Sequence, residues 1–178
     1  RNNLVIMDSW DGYELQSIPG PGNASLQRPQ WDKSGKLLSV IFLTEQGEGI
    51  MSYSLTDKKW QTLIEAGRND LQSSFLRNDS LFFVSSFSGT DNIYLSKPDK
   101  SIVPVTNSRF GISDLNLNGY LLLFSDYSSS GSNICYTTLP TYPVNSEISK
   151  NESSYLINRF KSLTIQSKGS IDQAYTPV

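Results

Sequence analysis

Apolar positions along this chain gather into short runs separated by polar turns, with no helical stripe. Runs rich in apolar residues occupy Leu38 to Leu43, Phe82 to Phe87 and Leu122 to Ser125. Such runs do not alternate with polar residues, which predicts strands covered on both faces. Each follows a similar segment: Trp31-Asp32-Lys33-Ser34-Gly35-Lys36-Leu37, Phe75-Leu76-Arg77-Asn78-Asp79-Ser80-Leu81, and Leu115-Asn116-Leu117-Asn118-Gly119-Tyr120-Leu121. An apolar anchor comes first, Gly or Asp stands four residues on, and another apolar residue stands two further. This reads as a hairpin, with Gly35 and Gly119 supplying positive φ and Asp79 expected to take the same conformation.

The pattern continues beyond the hairpin. A second glycine follows each run (Gly47, Gly89, Gly131), and a third strand starts at Ile50, Ile93 and Ile134. A fourth is expected at Trp60 to Ile64, Ile102 to Val105 and Val144 to Ile148. The anchors lie 44 and then 40 residues apart. Four short antiparallel strands in a repeat of that length predict the blade of an all-β protein, a β-propeller. A β-sandwich also has short strands and frequent turns, but it does not need one anchor, turn and strand order three times.

The expected organisation follows from this register. Residues 1–22 form the outer two strands of a first blade, with Trp10-Asp11-Gly12 as their turn and Pro19-Gly20-Pro21-Gly22 as the link onward. Blades are expected at 23–66, 67–108 and 109–150. Residues 151–178 form a tail. Its segment Ile165 to Ile171 repeats the anchor–glycine spacing, while Tyr155, Leu156, Phe160 and Leu163 also suit a short amphipathic helix. The tail either supplies strands that close a ring or leads to a further domain. The chain starts at Arg1, as a processed or trimmed end would, so the whole is expected to be three complete blades and a half blade, a fragment of a larger propeller.

Composition narrows the function. Fifteen basic residues face seventeen acidic ones, a net charge of −2, and no polybasic run occurs. Nucleic acid is therefore not an expected partner. No apolar stretch approaches the roughly 20 residues needed to span a bilayer as a helix. Histidine is absent, which removes Ser-His-Asp and Cys-His nucleophilic sites, most zinc sites and the commonest general base. The single cysteine, Cys135, lies in a predicted strand and reads as a small core or blade-face residue. No catalytic, cofactor-binding or metal-ligating residue is assigned, no cofactor is expected, and ligand- or partner-binding residues stay open.

Pro29-Gln30-Trp31-Asp32-Lys33-Ser34-Gly35-Lys36-Leu37 resembles the P-x-W-S-P-D-G-K-x-I-A-F signature of TolB-like propeller repeats. Leu4, Met7, Asp8, Asp11, Gly12 and Leu15 fit the I-Y-x-M-D-x-D-G-x-x-x-x-L stretch of the same family. Later repeats drift: Phe75 and Asp79 replace Trp and Gly in the second, and the third keeps Gly119 alone. WD-repeat, kelch and Asp-box signatures are missing. The resemblance implies a propeller fold and a periplasmic, outer-membrane-associated or secreted location. It implies a non-catalytic binding or scaffolding domain of a larger protein, with a protein partner or further domains of the same protein as what it meets. The alternative is the substrate-gating propeller of a larger peptidase or hydrolase whose catalytic domain lies elsewhere. A polysaccharide lyase of related repeat type relies on histidine metal ligands, which this chain lacks.

Trp31 occupies the family's structural tryptophan position, which implies a packed side chain. Trp10 is expected in an exposed turn and Trp60 against the neighbouring blade. Thr44 to Gly49, Ser88 to Asn92 and Ser128 to Asn133 are expected to share one rim. Glu45, Glu48, Asp91 and Asp126 there form no calcium-loop pattern and read as solvated. The Asn-x-Ser sequons at Asn23, Asn78 and Asn151 are no more than this composition yields by chance.

Overall fold

A computed structural model describes residues 2–139. These residues form thirteen strands and no helix. Sheet I pairs β1 (Asn3–Met7) with β2 (Glu14–Pro19). Sheet II runs β3 (Ser25–Trp31), β4 (Leu37–Thr44), β5 (Gly47–Ser54) and β6 (Lys59–Gly67). Sheet III repeats that order with β7 (Leu71–Arg77), β8 (Ser80–Ser85), β9 (Asn92–Ser96) and β10 (Ile102–Pro104). Sheet IV contains β11 (Ile112–Asn118), β12 (Leu121–Ser128) and β13 (Gly131–Thr138). All pairings are antiparallel between chain neighbours. The strand expected at Val144 to Ile148 and every reading of the tail lie outside the described residues.

The apolar runs are the second strands of sheets II, III and IV, and in sheets II and III they feed two cores at once. In β4, Val40 and Phe42 pack toward sheet I while Ile41 packs toward sheet III. In β8, Leu81 and Phe83 join the core shared with sheet II, while Phe82 and Val84 join the core shared with sheet IV. A strand buried on both faces gains nothing from alternation, which explains the unbroken apolar runs. Full burial of a side chain such as Phe83 contributes about 2–3 kcal/mol, and Phe83 also stacks on Tyr94 at 5.8 Å.

The register corrects the anchor alignment. Trp31 pairs with Leu38, Leu76 with Leu81 and Leu117 with Leu122. The structural equivalents of Trp31 are therefore Leu76 and Leu117, not Phe75 and Leu115. The first hairpin loop is longer than the later two, so a constant anchor-to-glycine spacing points to different strand positions. The turn residue is corrected too. Positive φ falls on Gly35, Asn78 and Gly119, so Asn78 and not Asp79 takes the left-handed conformation in the second hairpin. Asparagine tolerates that region because its short amide bonds locally to the backbone. In the first turn the Asp32 carboxylate accepts from Ser34 Oγ at 2.5 Å, Leu37 N at 2.8 Å and Lys36 N at 2.9 Å. Burial raises its pKa, and these bonds outweigh burial and hold the carboxyl below its ordinary value.

Trp31 is also not packed away: it is 43% exposed, whereas Leu76 and Leu117 are buried. Trp31 shares the face of its partner Leu38, which packs with Ile18 of sheet I. Sheet I offers two strands there, while the sheets facing Leu76 and Leu117 offer four. Trp60 does reach its neighbour: its Nε1 donates to the Pro19 carbonyl at 3.1 Å and its ring lies 5.0 Å from that of Tyr53. Cys135 is half-buried on the sheet III side of sheet IV, opposite Phe124.

Candidate binding surface on the inner strands

The first strands β3, β7 and β11 lie side by side. Among the described residues each pairs on one side only, its other edge meeting no strand there. Their sequences are polar where the second strands are apolar. Gln27, Arg28 and Gln30 on β3 and Asp114, Asn116 and Asn118 on β11 are exposed. All three strands also lose register once, between Gln27 and Gln30, Leu71 and Ser73, and Ser113 and Asn116. Such bulges re-aim side chains and blunt an edge against unwanted pairing. Arg28 and Asp114 sit at the first and third bulges with φ of 50° and 57°. Non-glycine residues held there carry strain on the order of 1–3 kcal/mol, a feature that gathers at binding sites.

The first two bulges are linked by a hydrogen bond. The Arg28 guanidinium donates to the Gln72 carbonyl at the second bulge. Gln72 Nε2 donates to Asp91 Oδ2 at 2.7 Å. Asp91 Oδ1 is buried and has no partner among the described residues. Burial raises the Asp91 pKa, the nearby charge of Asp70 adds to the rise, and the Gln72 hydrogen bond opposes it. Further along the same rim, Ser108 Oγ donates to Asp126 Oδ1 at 2.6 Å and Ser108 N donates to Asn92 Oδ1 at 2.6 Å. Beside them Phe110 is exposed, with the Arg109 guanidinium 5.3 Å from its ring centre.

The rim carboxylates therefore do not form one solvated set. Glu45 is exposed. Glu48 Oε2 accepts from Leu71 N at 2.9 Å, and Asp91 and Asp126 accept the bonds just given. Trp10 is 95% exposed at the β1–β2 turn, apart from this surface. No group of three or more His, Cys, Asp or Glu among the described residues is placed to hold a metal ion. Arg28, Gln72 and Asp114 were not singled out in the sequence. The one signal was Pro29, which cannot donate to a ladder and marks an edge or a bulge.

Sheets of antiparallel strands packed face to face in chain order, with their first strands side by side, define a β-propeller. No family model matches the chain, and no curated protein matches it. Among solved structures it is similar to TolB from Acinetobacter baumannii, with 14% identity and a TM-score of 0.64 over 76% of this chain and 35% of that one. It is also similar to a putative TolB from Agrobacterium tumefaciens, with 17% identity and a TM-score of 0.56 over 75% of this chain and 53% of that one. The β-propeller domain of the Trilobed protease from Pyrococcus furiosus gives 13% identity and a TM-score of 0.54 over 82% of this chain and 46% of that one. At these identities the likeness is one of fold: a TolB-like β-propeller. The chain spans between about a third and about half the length of these structures.

Proposed function

We propose that this chain is a non-catalytic binding or scaffolding propeller domain of a larger periplasmic, outer-membrane-associated or secreted protein. The recognition surface in this reading is the polar wall of β3, β7 and β11, and its partner is another protein. The observation that carries the reading is the bulged inner strands. Arg28 and Asp114 stand at equivalent strained positions on one surface, offering opposite charges and backbone edges that meet no strand among the described residues. Arg109 and exposed Phe110 add residue types that anchor protein interfaces. The absence of histidine supports a role without acid–base chemistry. The likeness to TolB structures supports the envelope setting.

The alternative is a gating propeller in a larger peptidase, favoured by the likeness to the Trilobed protease domain. The coding sequence on both sides of this chain separates the two. The binding reading expects no hydrolase domain there, and a flanking G-x-S-x-G segment within an α/β domain overturns it in favour of gating.

A further inference from the structure

A cavity of about 260 Å³ opens between sheets II and III, at the edge opposite the Asp91 network. Leu37, Leu63, Leu76 and Leu81 line its apolar part, Ser52 and Ser96 stand within it, and Lys97, Lys100 and Asp79 are at its mouth. The strand register explains why it exists. Ser39 pairs with Ser52, and Ser74 Oγ donates to Ser39 Oγ at 3.2 Å, so Ser39 and Ser52 both face sheet III. Ser96 pairs with Leu81, which faces sheet II, so Ser96 faces back across the gap. Ile50 pairs with Ile41 as Ile93 pairs with Val84, which places Phe82 and Leu95 of sheet III where sheet II has Ser39 and Ser52. Phe82 and Leu95 fill the next junction. The serines leave theirs short of volume.

The cavity is built for an occupant with both apolar and polar parts. Ser52 and Ser96 are 6% and 8% exposed, and both line the space. Each hydroxyl can donate one hydrogen bond and accept others from a ligand in this space. Lys97 and Lys100 line the space with one carboxylate, that of Asp79, while the carboxylate of Asp99 between them accepts from Ser101. The space is well above the roughly 10–15 Å³ that one water needs, which suits a leucine-sized apolar group with a polar head.

We propose that this cavity binds a small amphipathic carboxylate. Its apolar group lies on the four leucines, its polar atoms meet Ser52 and Ser96, and its carboxylate is held by Lys97 and Lys100. Two sources share this chemistry: a free acyl carboxylate and the C-terminal residue of a peptide.

The test titrates the full chain, by NMR or calorimetry, with octanoate, N-acetyl-leucine and N-acetyl-leucinamide. At least one carboxylate saturates the protein, and the amide binds at least ~10-fold more weakly because the charge-assisted bonds are gone. Saturation by octanoate alone identifies the acyl source, and saturation by N-acetyl-leucine alone identifies the peptide terminus. The double variant Lys97→Ala, Lys100→Ala loses at least ~10-fold in affinity. Ser52→Leu, which copies the residue at the equivalent place in sheet III, abolishes binding. Equal affinity for acid and amide, no saturation by either acid at millimolar concentration, or unchanged affinity in the lysine double variant overturns the proposal. So does unchanged affinity in a folded Ser52→Leu protein, and if that variant melts early the lysine variant decides.

Discussion

The junction between sheets II and III and the junction between sheets III and IV are built on one plan and filled differently. At the first, Ser39 and Ser52 face across to sheet III and a cavity remains. At the second, Phe82 and Leu95 occupy the equivalent places and the core is closed. The rim ends of the junctions differ as well. Leu71 and Ile112 open equivalent strands, and each needs an acceptor for its N–H. Glu48 supplies a carboxylate oxygen to Leu71, whereas Asp91 supplies its backbone carbonyl to Ile112 at 2.9 Å. The Asp91 carboxylate is thereby released from the structural task, turns to Gln72 and keeps one oxygen unpartnered. One backbone repeat can thus carry either packed apolar side chains or a ligand-sized space at equivalent junctions. An equivalent carboxylate can be structural in one blade and uncommitted in the next.

Forcing one junction to imitate the other tests this comparison. Phe82→Ser gives the III–IV junction the residue of the II–III junction. It removes a buried ring and adds a hydroxyl, so the expected loss is about 3–5 kcal/mol, read from denaturant melts. A loss below about 1 kcal/mol would mean that the two junctions are not packed differently.

Glu48→Ala leaves the N–H of buried Leu71 without its acceptor. The expected cost is about 1–3 kcal/mol, again by denaturant titration. Asp91→Ala should cost much less, since the Ile112 N–H keeps its backbone acceptor. Equal costs for the two would remove the distinction between the carboxylates.

Ser52→Leu makes the II–III junction resemble its neighbour. Filling the space should stabilise the protein by roughly 0.5–1 kcal/mol, visible as a higher melting temperature. A large destabilisation would show that the cavity walls are rigid and the space too small.

Asp91→Asn has the smallest effect and a distinctive pH dependence. Burial and Asp70 hold the folded-state pKa above the ordinary 3.8. The folded protein therefore binds this proton more tightly than the unfolded chain, and the wild type loses stability as pH rises from 3.8 through the raised value. Asparagine carries no charge and can still accept from Gln72. The variant should be more stable than the wild type at pH 7, by less than about 0.5 kcal/mol because solvent screens the charge. The gain should fade as the pH falls through the raised value and be gone below 3.8. Parallel melts at neutral and acid pH check this, and a gain that is independent of pH would assign the effect to packing.

Much of the fold was legible in the chain itself, because the signals behind it are local. Unbroken apolar runs mark strands covered on both faces, Gly35 and Gly119 mark turns, and the recurrence of Ile50, Ile93 and Ile134 marks third strands. Each of these depends on a few consecutive residues. What only the tertiary structure decided depends on partners distant in sequence. Trp31 carries the most recognisable residue of its motif, yet it is half uncovered because sheet I stands opposite it with two strands. Leu76 and Leu117, not Phe75 and Leu115, are its counterparts, because hairpin loop length resets the register. Arg28, Gln72 and Asp114 fall on one surface only once three first strands are brought side by side. Ser52 lines a cavity only because of what faces it across the gap. Backbone pattern is written along the chain, but whether a side chain is buried, paired or left free is set between sheets.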